Sequence, residues 1–178
     1  MKILVDEIPE SPKEMRCSES TAELNDIYRK GETRDYKFPQ SIEVSFVYHR
    51  SGGDVLIRGS FCGEFIAQCS RCVRDFLIPI DHDFDFVLSP EPVRPGGPKD
   101  QLQQAELGLS YYSGDEIDLS PLIREQVVLA LPTRPLCAED CRGLCGGCGA
   151  DLNHEGCTCS NASDDPRMAF FRTLRIDR

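Results

Sequence analysis

The 178-residue chain predicts an α+β fold: a curled, barrel-like antiparallel β-sheet, one packed helix, and a cysteine-rich C-terminal segment. Three observations carry this reading. Between Ser41 and Ser89 apolar residues recur at every second position, the period of a strand with one buried and one wet face. One apolar stretch at helical spacing follows, opened by Ser120-Pro121 and stopped by Pro132. Eight of the ten cysteines fall into four close pairs, six of these eight between Cys137 and Cys159. The chain accordingly divides into a sheet domain, 1–135, and a cysteine-rich segment with a terminal helix, 136–178, docked on it.

The first forty residues are weakly patterned; a strand over Ile3–Ile8 and a short helix over Ala22–Arg29 are expected. Ile42, Val44, Phe46 and Tyr48 alternate with polar neighbours, and Ser51-Gly52-Gly53-Asp54 reads as a hairpin turn. The return strand carries Val55, Ile57, Phe61, Phe65 and Ala67, with Gly59 and Gly63 suggesting a bulge or bend. After Cys69–Cys72, every second residue from Phe76 to Leu88 faces the core, while Asp81, Asp83 and Asp85 mark the opposite face. That acidic stripe is an ordinary wet face or a docking strip for a basic partner. Residues 89–108, rich in Pro, Gly and Gln, predict a mobile loop. A short strand and turn over 109–117 precede a helix with Ser120 as N-cap and Pro121 as its first residue. Its apolar last turn predicts packing on the sheet. Asp165-Pro166 opens a terminal helix bearing Met168, Phe170, Phe171 and Leu174.

The segment from Leu136 to Ser160 has five glycines and hardly any apolar residues. It cannot fold by burial alone. Closely spaced thiolates deliver two corners of a metal tetrahedron from one tight turn, and structural Zn²⁺ takes four sulfurs at about 2.3 Å. Such a site is worth about 10–16 kcal/mol, comparable to the roughly 5–15 kcal/mol that stabilises a whole domain. Eight cysteines make two zinc-knuckle sites. One division joins Cys69 and Cys72 to Cys137 and Cys141, leaving Cys145, Cys148, Cys157 and Cys159 as a compact site. The rival division gathers Cys137, Cys141, Cys145 and Cys148, but the first is favoured because it explains why a pair sits upstream at all. His154 can replace one thiolate of the compact site, though a loop histidine is commonly just solvated. Cys17 and Cys62 lack close partners and read as ordinary packed side chains.

A disulfide framework needs an oxidising compartment, and the N-terminal run is not a secretory signal, so a cytoplasmic location is expected. No stretch approaches the roughly 18 apolar residues of a membrane helix. The net charge of −10 argues against a general nucleic-acid coat and suits a basic partner or a local basic patch. Arg71, Arg74 and Arg142 flank the knuckles and could form such a patch. Catalysis has little support. The chain lacks a nucleophile elbow and a phosphate-binding glycine loop, and four thiolates leave zinc no open position.

In order, Cys69-Ser-Arg-Cys72-Val73, Ile117-Asp118-Leu119-Ser120, Leu136 through Cys145, Cys148-Gly149-Ala150-Asp151-Leu152-Asn153, Cys157-Thr158-Cys159 and Asp165-Pro166-Arg167 make a distinctive string. It resembles the YceD family, the large ribosomal RNA subunit accumulation proteins, over roughly 42–174. The resemblance implies a non-enzymatic ribosome-biogenesis factor supporting 23S rRNA accumulation and large-subunit assembly. The implied partner is 23S rRNA or a large-subunit precursor, with Arg71, Arg74 and Arg142 as candidate RNA contacts. A variant in the same pathway masks a basic ribosomal protein. No membrane and no small-molecule substrate is expected. The rival readings are a redox-switched zinc chaperone or thiol sensor, and an iron–sulfur carrier.

Overall fold

A computed structural model describes residues 1–30, 35–91 and 110–159. The terminal helix expected from Asp165 lies outside the described residues, as does most of the loop expected over 89–108. The elements are β1 (Lys2–Leu4), a 3-10 turn (Val5–Glu7), β2 (Lys13–Ser20), α1 (Ala22–Lys30) and β3 (Tyr36–Lys37). They continue with β4 (Ser41–Ser51), β5 (Asp54–Gln68), β6 (Asp75–Pro90), β7 (Ser110–Tyr112), β8 (Glu116–Asp118) and α2 (Ser120–Ala130).

The alternating segment makes the centre of the sheet. Strands β2, β4, β5, β6 and β7 lie side by side in that order, with β3 on β5. All neighbours are antiparallel except β6 and β7, which run parallel from Leu88–Ser110 to Pro90–Tyr112. Val44, Phe46, Tyr48, Val55, Ile57, Phe61 and Phe65 fill the core, as the period of two requires. The β4–β5 turn is Gly52-Gly53, with Gly52 at φ 63°, where a missing Cβ removes the steric penalty.

The sheet is open, not barrel-like. Among the described residues β2 and β7 remain its edges and do not pair with each other. Its apolar face is covered instead by α2 and by the β1–β8 ribbon, whose Ile3, Ile117, Ile123 and Val127 join the core. Nor is there a bulge at Gly59: β5 and β6 stay in unbroken register from Val55–Leu88 to Gln68–Asp75. Gly59 is required by crowding, since a Cβ there would lie 2.6 Å from Phe46 Cβ and 2.7 Å from the Phe84 ring. The change at Gly63 is one of partner. Pairing to β4 ends at Phe61, and β3 takes that edge at Ile66–Ala67.

The expected first strand is shortened by the turn at Val5–Glu7, and β2 carried no apolar alternation because one of its inward residues is Glu19. Glu19 is buried because α2 satisfies it: Ser120 Oγ donates at 3.0 Å and Arg124 lies at 3.4 Å. Ser120 is therefore not the N-cap. Leu119 caps α2, Ser120 and Pro121 are its first residues, and the Asp118 carboxylate accepts the Ser120 N–H at 3.0 Å. Ile123 and Val127 pack inward, whereas Val128 and Leu129 face solvent. Among the described residues no helix is long and apolar enough to cross a membrane.

Candidate metal centres

Two turns and two loops bring the eight sulfurs together. Cys69 and Cys72 lie on the connection between β5 and β6, Cys137 and Cys141 on the chain after α2; Cys145, Cys148, Cys157 and Cys159 gather beyond it. Within each foursome the Sγ atoms all lie within 4.8 Å of one another. Four sulfurs about 2.3 Å from a shared centre are about 3.8 Å apart. The first foursome shows 3.8 Å for Cys69–Cys141 and 3.6 Å for Cys72–Cys137. The second is slightly tighter, with 3.2 Å for Cys145–Cys157 and 3.4 Å for Cys148–Cys157. Either donor set fits one tetrahedral, sulfur-loving cation. His154 is outside both groups; its Nε2 lies 2.8 Å from Arg74. Cys17 is half-buried against the core and Cys62 is exposed, neither near a foursome.

The Cys-x-x-Cys turns are the same device used twice. In the first, Val73 N donates to Cys69 O at 2.9 Å and Cys69 N to Arg74 O at 2.9 Å. In the second, Gly149 N donates to Cys145 O at 2.9 Å and Cys145 N to Ala150 O at 2.8 Å. The leading sulfur accepts an amide two residues on in each: Arg71 N at 3.5 Å, Gly147 N at 3.4 Å. The residue after the second cysteine is left-handed in both, Gly149 at φ 76° and Val73 at φ 60°. A β-branched residue is strained there.

These turns also set the acidity of the thiols. Burial pushes Cys69 up, but the amides of Cys137, Cys72 and Arg71 outweigh it and hold Cys69 at about 6. The amides of Cys148 and Gly147 likewise bring Cys145 down to about 6. Burial, reinforced by the neighbouring sulfurs, takes Cys72 up to about 12. At Cys157 the Cys159 amide pulls down, yet the three sulfurs around it prevail and it too reaches about 12. Four thiolates crowded together oppose their own ionisation, and a divalent cation reverses that balance, so metal binding releases protons.

The surrounding polar groups lock the loops. Arg71 donates to Cys141 O at 2.8 Å and Glu139 O at 3.2 Å. Arg74 reaches Cys137 Sγ at 3.7 Å as well as His154, linking the two centres. Arg142 is exposed, and among the described residues its guanidinium forms no ion pair or hydrogen bond. Asn153 was not singled out from sequence. It donates to Cys141 Sγ at 3.4 Å, accepts Arg142 N at 2.8 Å and is held by Asp151 at 2.7 Å. The Asp-x-Asn spacing, a side-chain-to-backbone turn, was its available signal. Gly143, at φ 74°, lets Leu144 N reach Arg71 O at 3.1 Å; a Cβ would sit 2.9 Å from that oxygen. The first foursome is the more enclosed, with Cys69, Cys72 and Cys141 buried, while Cys148 and Cys159 of the second are exposed.

A family described as "Large ribosomal RNA subunit accumulation protein YceD" matches residues 57–175. A protein named "Large ribosomal RNA subunit accumulation protein YCED homolog 1, chloroplastic", from Arabidopsis thaliana, is 40% identical over 165 residues. That match covers 81% of this chain and 51% of the relative. An uncharacterized protein of Mycobacterium tuberculosis is 31% identical over 102 residues, 57% of this chain and 46% of its own. One from Mycobacterium leprae is 27% identical over 103 residues, 56% and 43% respectively. The chain spans about half the length of the curated relatives it matches. No solved structure matches it.

Proposed function

The chain belongs to the YceD family of large ribosomal RNA subunit accumulation proteins, and from that premise we propose a non-enzymatic factor supporting 23S rRNA accumulation, its C-terminal segment held by two structural zinc ions. The observation that carries the metal reading is the sorting of eight thiols into two foursomes of tetrahedral size. Zinc would be held by Cys69, Cys72, Cys137 and Cys141 in one centre, and by Cys145, Cys148, Cys157 and Cys159 in the other. When bound it supplies cross-linking alone, since four sulfurs fill its coordination shell.

In this reading the first centre pins the tip of the β5–β6 hairpin to the chain leaving α2, and the second builds a knuckle on that base. Arg71 and Arg74 orient the loops through Cys141 O, Cys137 Sγ and His154. Arg142, exposed beside the knuckle, is the residue best placed to meet an RNA phosphate. The acidic body then limits binding to that local patch.

The test is genetic and chemical together. In cells lacking this gene, the ratio of large- to small-subunit rRNA should fall and be restored by the unaltered chain. A Cys69→Ser, Cys72→Ser chain should not restore it, and Arg142→Glu should restore it only partly while keeping its zinc. An unchanged ratio in the deletion strain defeats the proposed function. Full rescue by the double serine chain defeats the role given to the metal.

The exposure of Cys148 and Cys159 favours one alternative for the outer centre, a thiol sensor that loses zinc on oxidation. Mild peroxide releasing one zinc of two, with a gain in holdase activity, would favour it; inert thiols would remove it.

A further inference from the structure

The face of the sheet turned away from the core is uncovered among the described residues. It holds three depressions, of about 560, 560 and 450 Å³. The first two share Val47, Arg58 and Asp85 as walls, and the first and third share Ser45 and Ser60. They are one trough crossing β2, β4, β5 and β6. Small side chains at Ser45 and Ser60 form its floor. It runs from Leu56 to Cys62 along β5, about 20 Å at the usual rise per strand residue.

Its chemistry is one-sided. Glu14, Glu43, Asp81, Asp83 and Asp85 line it against Arg16 and Arg58, five acids to two bases, with His49 at one end. Arg16 is paired with Glu14 at 3.3 Å. Asp81, Asp83 and Asp85 form no ion pair or hydrogen bond among the described residues. Apolar groups flank the acids. Val47, Leu56 and Val87 lie at one end, and Ile66 with its cross-strand partner Leu77, 38% and 61% exposed, lies beyond the other.

We propose that this trough docks an extended, basic segment of a protein partner, with Lys or Arg at alternate positions facing Asp81, Asp83 and Asp85. The spacing selects an extended chain. Carboxylates at every second residue of β6 recur at about 6.7 Å, the interval at which same-side side chains recur in another extended strand. The flanking apolar groups suit the aliphatic stems of such cations. The surplus of carboxylates repels phosphate, which turns nucleic acid away from this face. The trough is separate from the sulfur centres, so the docking stands or falls independently of zinc and of the rRNA role.

The test uses the full chain and a labelled peptide of about seven residues with lysine and threonine alternating, the length the trough accommodates. Fluorescence anisotropy at low salt should show binding. Asp81→Asn, Asp83→Asn, Asp85→Asn together should weaken it about tenfold, the combined effect of three exposed charge pairs. Asp6→Asn, Glu7→Gln, Glu10→Gln removes the same charge from exposed positions elsewhere and should change it less than about twofold, because long-range charge is screened. A peptide of equal composition with its lysines in one block should bind severalfold more weakly. Equal losses in the two triple variants would reduce the effect to the overall charge and overturn the proposal. So would absence of peptide binding, or a single-stranded RNA oligonucleotide whose binding the β6 variant abolishes. Matching thermal melts confirm that the outward substitutions leave the fold intact.

Discussion

Replacing Cys69 and Cys72 together by serine should detach the cysteine-rich segment while the sheet stays folded. The magnitude follows from the loop each clamp closes. A bridge at Cys72–Cys137 spans 65 residues, and constraining a loop of that size is worth about 4 kcal/mol in the chain-entropy account of cross-links. A bridge at Cys145–Cys157 spans 12 residues and is worth about 3 kcal/mol on the same account. The buried sulfurs form a small cluster with Leu136 and Cys137 that meets the main core of β4, β5 and α2 through Phe76. Amide hydrogen exchange separates the two. In the Cys69→Ser, Cys72→Ser chain, protection over 69–74 and 136–144 should fall by at least about three orders of magnitude, the factor that the roughly 4 kcal/mol of loop closure alone represents. Amides of β4 and β5 should keep theirs. In a Cys148→Ser, Cys157→Ser chain the loss should be about a hundredfold and confined to 145–159. Unchanged protection over 136–144 in the first variant would refute the reasoning. So would identical exchange maps for the two variants.

Three further outcomes follow from the backbone and from charge. Val73→Gly should stabilise the chain by about 0.5–1 kcal/mol, because left-handed strain of about 1–2 kcal/mol outweighs the entropy cost of glycine; Val73 is half exposed and loses little burial, and a chemical melt measures it. Gly143→Ala should cost at least about 1–2 kcal/mol and raise exchange at Leu144, whose bond to Arg71 O the new Cβ would crowd. The Asp118 carboxyl is held below its ordinary 3.8, first by the Ser120 N–H, against its desolvation. Its contribution is therefore complete above about pH 4 and is lost as pH falls through the lowered value. Asp118→Ala should lower stability at neutral pH and flatten that part of the acid limb; an unchanged pH profile would contradict it.

The sheet centre was legible because β4, β5 and β6 each bury alternate residues, and period two survives translation into structure. The helix after Asp118 was legible from its proline and apolar spacing. What escaped depends on partners far along the chain. Glu19 is an inward residue of β2 only because Ser120 and Arg124, about a hundred residues later, satisfy it, so the strand showed no hydrophobic period. The barrel-like closure failed because α2 and the β1–β8 ribbon cover the face that closure would have sealed, and no local pattern announces that. At the centres, the grouping of Cys69 and Cys72 with Cys137 and Cys141 was the division the sequence favoured, because it gives the upstream pair a partner, and the path of the chain after α2 brings these four together. Val73 carried no warning, since a β-branched residue does not advertise a left-handed backbone. Arg71 and Arg74 looked like free cations in sequence; only the fold brings loop carbonyls, a thiol and an imidazole against them.

In the proposed reading, metal holds together a stretch that burial cannot. Native mass spectrometry of the full chain, purified without chelator, addresses this most directly. Two zinc ions per chain are expected, falling to one when Cys69 and Cys72 become serine. A metal-free protein whose 136–159 amides nevertheless remain protected would contradict it.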